Sequence, residues 1–113
     1  MSVDKTTGLT EAILLSLLPN VLAKRGTVTA GSDIDNYTES GYYIMDLRTT
    51  ETLANFPSEH PKNGLLIVLN HICRVQIVIP GYSEAPIIFR TNWYDTGYRP
   101  WFKIATSKVV TTT

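Results

Sequence analysis

The chain holds little of what most catalytic and metal-binding proteins need. Its 113 residues include a single cysteine, Cys73. That excludes an internal disulfide and a four-cysteine zinc site. Cys73 lies in the apolar stretch His71-Ile72-Cys73-Arg74-Val75, which predicts a small buried hydrophobe. The histidines number 2, His60 and His71, and neither has a partner at metal-ligand spacing. Both read as surface side chains. Charge of one sign is also lacking: lysine plus arginine number 10, aspartate plus glutamate 10. The balance gives no long-range pull toward nucleic acid or an acidic membrane. It also lowers the repulsion between copies of the chain. The apolar run at residues 12–18 follows Glu11 and is too short for a signal peptide or a membrane span. The expectation is a protein made in the cytoplasm without an export signal and without membrane insertion.

Motifs for chemistry are missing as well. The sequence has no Gly-x-Ser-x-Gly elbow, no oriented Cys–His pair and no phosphate-cradling glycine loop. Asp33-Ile34-Asp35 sets two carboxylates side by side, the residue type used in glycoside hydrolysis. Its Gly/Ser/Asp-rich surroundings read instead as a solvated turn. The sequence therefore predicts a protein that is not an enzyme and uses no cofactor and no metal.

What is present is apolar residues, 43% of the chain against 18% charged, enough for one small core. Leu9, Ile13, Leu14, Leu17, Leu18, Val21 and Leu22 recur at spacings of three and four, which predicts an amphipathic helix. Lys24-Arg25-Gly26 reads as its basic end, and Pro19 as a kink. Residues 1–25 are thus expected as a helical segment and residues 26–36 as a linker with a short strand at Thr27-Val28-Thr29. After that the period changes to two. Strands are expected at 41–47, 64–69, 71–79, 87–93 and 99–104, joined by a long polar loop at 49–63 and by short turns. A helical turn is expected near residues 50–55. The fold class is mainly β: a small antiparallel meander or sandwich knob over 37–104, with residues 105–113 as a tail.

Aromatics gather late in the chain. Trp93, Tyr94 and Tyr98 surround one turn beside Arg99, and Tyr82 sits on another. Aromatic faces stack on sugar rings, so these five are the candidate ligand-binding residues. Arg74, Gln76 and Arg90 alternate on neighbouring strands. With Leu14, Leu17 and Val21 of the helix they are the candidate contacts between copies.

The ordered motifs of residues 33–104 resemble the pyocin knob family of phage and tailocin tail fibres. Asp33-Ile34-Asp35-Asn36-Tyr37 leading through Gly41 into Tyr42-Tyr43 is similar to that family's Asp-Leu-Asn-x-Leu opening. Asn55-Phe56-Pro57 resembles its Asn-x-Pro loop, Val75-Gln76-Ile77 its glutamine strand, Phe89-Arg90-Thr91 its Arg-Thr strand, and Arg99-Pro100-Trp101-Phe102 its closing tryptophan strand. The 70–74 and 80–86 segments and the helical stripe have no counterpart in it. The resemblance implies a structural, host-facing knob in a virion tail fibre. The implied partners are two further copies in a homo-trimer, other fibre or baseplate segments, and bacterial surface polysaccharide. The alternatives are a free-standing lectin-like module and an accessory domain of a polysaccharide-degrading tailspike. A further reading is an intracellular adaptor that grips a partner helix with the Leu9–Leu22 stripe.

Overall fold

The computed structural model describes residues 23–81, 84–105, 107 and 109. The expected helical stripe, with Leu14, Leu17 and Val21, lies outside the described residues, and so does Tyr82. The described chain is mainly β. One sheet of six strands runs in chain order: β1 (Lys24–Val28), β2 (Gly41–Asp46), β3 (Asn63–Leu69), β4 (Cys73–Pro80), β5 (Ile88–Trp93) and β6 (Phe102–Lys103).

β2 through β6 form the expected antiparallel meander. β1 departs from it, pairing parallel to β2. A parallel neighbour needs a crossover rather than a hairpin, and residues 29–40 supply it by passing over one face of the sheet. The expected linker at 26–36 is therefore part strand and part crossover. Lys24 and Arg25, read as a helix end, open β1 instead. Arg25 Nε donates to the Ser40 carbonyl at 2.6 Å.

The sheet is not one half of a sandwich. Its second layer is two loops, residues 29–40 and 47–62. They are stitched to each other by Gly31 N–H to Thr52 O at 2.7 Å, Ala54 N–H to Ser32 O at 2.9 Å and Ile34 N–H to Ala54 O at 3.1 Å. This pairing displaces the helical turn expected near 50–55. A single 3-10 turn, Ile34–Asn36, drops Ile34 into the interior.

Strand alternation decides which side chains face the loops. Val28, Met45, Leu66, Val68, Val78 and Ile88 point inward and meet Ile34, Leu53 and Phe56. Each such side chain contributes roughly 1.5–3 kcal/mol by leaving water. The opposite face carries Tyr42, Ile44, Leu65, Ile67, Leu69, Val75, Ile77, Ile79 and Phe89, which stay half-buried or exposed.

One glycine fixes how the β3–β4 pair closes. Gly64 has φ +119°, and a β-carbon there would collide with the Ile79 carbonyl oxygen and the Gly81 amide. Only a residue without a side chain fits so close to the partner strand.

Candidate functional site

Polar residues on the loop-covered face converge on Gln76, which is fully buried. Its Nε2 donates to the carbonyls of Ile34 at 2.8 Å and Tyr37 at 3.0 Å, tying β4 to the crossover. Its Oε1 accepts from Arg90 Nε at 2.8 Å. The Arg90 guanidinium reaches on to Asp35 at 2.5 Å. Asn55 Nδ2 then bridges the two carboxylates, donating to Asp33 at 2.9 Å and Asp35 at 3.2 Å. Trp101 Nε1 closes the set by donating to the Asn55 carbonyl at 2.9 Å. Asn55 meets these demands with a backbone φ of +62°, a left-handed conformation that asparagine tolerates better than most residues.

Arg90 is also stacked. Its guanidinium carbon lies 3.7 Å from the Tyr98 ring centroid and 4.6 Å from that of Trp101. The charge is thus held by one carboxylate, one amide and two aromatic faces, which is how a buried cation becomes tolerable. The Asn55 amide holds the Asp33 carboxyl below the usual carboxylate range, the Asp35 N–H and Arg90 adding to the effect. Burial pushes the Tyr98 phenol up, against the opposing charges of Arg74 and Arg90.

This network places several of the sequence-based candidates. Arg74, Gln76 and Arg90 do share one sheet face, as their register shows. That face is covered by the chain's own loops, so Gln76 and Arg90 are satisfied within one copy and have no surface for another. Arg74 pairs with Asp95 at 2.6 Å. Tyr98 is correspondingly turned onto Arg90 rather than toward a ligand. Asp33 and Asp35 sit on a part-exposed turn, as expected, and from it they hold Arg90 and Asn55.

The aromatic turn behaves differently. Trp93 and Tyr94 are 57% and 61% exposed, with ring centroids 4.8 Å apart and planes at 84°. Tyr94 and Asp95 take φ of +51° and +54°, and Thr96 N–H bonds the Trp93 carbonyl at 3.0 Å. Two successive left-handed residues under that bond make a type I′ hairpin turn. Such turns favour asparagine and glycine, so a tyrosine there is strained. Several bonds hold the strain in place: Tyr94 N–H to Ile72 O at 2.9 Å, Gly97 N–H to Asn92 Oδ1 at 3.1 Å, and the Arg74–Asp95 pair. Arg99 is exposed on the same hairpin and Ile72 on the adjoining one. Of the five ligand candidates, the structure brings together Trp93 and Tyr94.

Sequence reasoning missed the role of His60. It is buried, not on the surface. Its Nδ1 faces the Pro61 carbonyl at 3.0 Å and its Nε2 the Pro86 carbonyl at 2.8 Å, with Phe56 edge-on at 5.6 Å. Beside it a shallow groove of about 400 Å³ is lined by residues that include Pro57, Pro86, Trp101 and Phe102. The bond from residue 60 to residue 86 has no local signature. Cys73 is half-exposed rather than buried.

Among the described residues, no three His, Cys, Asp or Glu side chains group to hold a metal ion, and no helix is long and apolar enough to cross a membrane. Compared with protein-family models, curated proteins and solved structures, the chain matches none.

Proposed function

We propose that the chain is a non-enzymatic, host-facing knob module of a phage-type tail fibre, and that it touches bacterial surface polysaccharide through Trp93 and Tyr94. The observation that carries this reading is the aromatic pair itself. Two large rings stand in solvent on a turn that is strained and pinned, an arrangement that costs stability and is retained where a surface has work to do. Perpendicular ring planes offer a sugar two walls. A second support is where the motifs of the pyocin knob resemblance fall. Asp33, Asp35, Asn55, Gln76, Arg90 and Trp101 belong to one network beneath the turn. In this reading they are the scaffold, and the turn is the contact.

A glycan array of bacterial surface polysaccharides tests the ligand class. The expected result is binding without any shortening of the chains. An array with no bound polysaccharide contradicts the proposal. Light scattering of the same sample separates a fibre module, at the mass of three chains, from a lectin-like module at one or two.

A further inference from the structure

The aromatic pair has a large apolar neighbour. Ile72, in the turn between β3 and β4, is 45% exposed. Its carbonyl accepts the Tyr94 N–H at 2.9 Å, and Cys73 beside it pairs with Trp93 in the ladder. The ends of two hairpins are thereby joined. Ile72, Trp93 and Tyr94 come to the same end of the sheet, and all three are exposed.

The polar side chains of this end are already engaged. The Asp95 carboxylate accepts from the Arg74 guanidinium at 2.6 Å. The Thr96 hydroxyl donates to the Trp93 carbonyl at 2.6 Å, and Asn92 Oδ1 accepts the Gly97 N–H at 3.1 Å. What the turn then presents is two rings and one aliphatic branch. A site discriminates strongly by a hydroxyl when its own polar groups are left unpaired by the wrong ligand. Rings and an aliphatic branch discriminate by apolar contact instead, and each methyl group that leaves water adds to binding. A sugar bearing only hydroxyls gives the Ile72 side chain nothing apolar to meet.

We infer that the saccharide unit held at this turn carries a methyl group, as a 6-deoxy carbon or as an acetyl substituent, and that Ile72 reads it. The inference rests on the reading of Trp93 and Tyr94 as the polysaccharide contact. The rings take the sugar and Ile72 takes the methyl. Ile72 therefore sets preference, while the rings supply most of the contact area.

Binding of the full chain to four immobilised, multivalent glycoconjugates tests it. L-Fucose and L-galactose differ only at C6, methyl against hydroxymethyl. Chitotetraose and cellotetraose differ only at C2, acetamido against hydroxyl. The first pair reports a deoxy carbon and the second an acetyl group. The expected result is that the native chain binds the methyl-bearing member of at least one pair about fivefold more tightly, less than an enclosed pocket achieves because the turn is open. Ile72→Ser is expected to abolish that preference and Ile72→Val to keep it. Both variants should keep the native affinity for the hydroxylated member and the native thermal midpoint. Equal binding of both members in both pairs overturns the inference and leaves the aromatic contact standing. A preference that Ile72→Ser leaves unchanged overturns it too. So does failure to bind all four conjugates by a chain that binds a polysaccharide on the glycan array. A chain that binds neither loses the polysaccharide reading as well.

Discussion

Single residues here carry opposed tasks. Tyr94 pays a conformational cost at φ +51° and displays a ring. Replacing it with glycine removes both. Tyr94→Gly is expected to leave the fold as stable as before or up to about 1 kcal/mol more stable in a denaturant melt, while polysaccharide binding weakens. Arg90 has the reverse role, since nothing outside the chain reaches it. Arg90→Ala strips Asp35 and Gln76 of a partner and unstacks Tyr98 and Trp101. The expected loss is roughly 1–3 kcal/mol in the same melt, discounted because Asp35 remains part-exposed. Asp33 makes the fold sensitive to acid. Its carboxyl titrates lower in the fold than in the open chain, so its contribution is present above about pH 4 and fades as pH falls through the folded value. Asp33→Asn should flatten the acid limb of a stability-against-pH curve below about pH 4 and leave the neutral region with a changed offset only. An unchanged acid limb would mean that the Asn55 bond does not survive in solution.

At the scale of elements, the strands were legible and their orientation was not. Alternation at Val75, Ile77 and Ile79 locates β4 correctly, and the runs at 41–47, 64–69 and 87–93 match β2, β3 and β5 closely. The ordinary expectation is that the apolar side of a strand faces the core. Here the polar side of β4, with Gln76, is the more buried one. The crossover and the 47–62 loop bring Ile34, Leu53 and Phe56 together with the Ile34 and Tyr37 carbonyls. A glutamine and an arginine, expected as contacts between copies, are therefore satisfied within one chain. No local pattern predicts this, because the partners of Gln76 lie 39 and 42 residues away. The exposed turn was partly legible. Clustered aromatics pointed to it, but whether a ring turns out, like Tyr94, or in, like Tyr98, depends on Arg90 beneath. β1 was half legible: a short strand at residues 27–29 was expected and overlaps its end, but Lys24-Arg25-Gly26 reads equally well as a helix end and hid its start. Gly64 is the element-scale test. Gly64→Ala would drive a methyl group into the β4 backbone. We expect loss of cooperative unfolding or a drop of several kcal/mol, roughly the upper range for single substitutions. A melt like that of the native chain would show that β3 and β4 separate at that point.

For the whole molecule, one sheet has two unlike faces. One is closed by loops and a charged network that holds β4 and β5 against the crossover. The other is a broad apolar row that runs Tyr42–Ile67–Ile77–Phe89–Phe102 across β2 to β6. The aromatic pair stands at the end of the β5 hairpin, anchored from below and open to solvent. This division explains why the polar residues are poor ligand candidates despite their number. It also places the proposed contact with a host surface on two side chains that the fold does not need for its own packing. The most direct measurement is the affinity of Trp93→Ala and Tyr94→Ala for a polysaccharide that the native chain binds, taken with the thermal midpoint of each variant. The account predicts binding about tenfold weaker or worse in both, as for anchoring aromatics at other interfaces, with midpoints close to native. Native affinity in both variants, with the polysaccharide still bound, would contradict it.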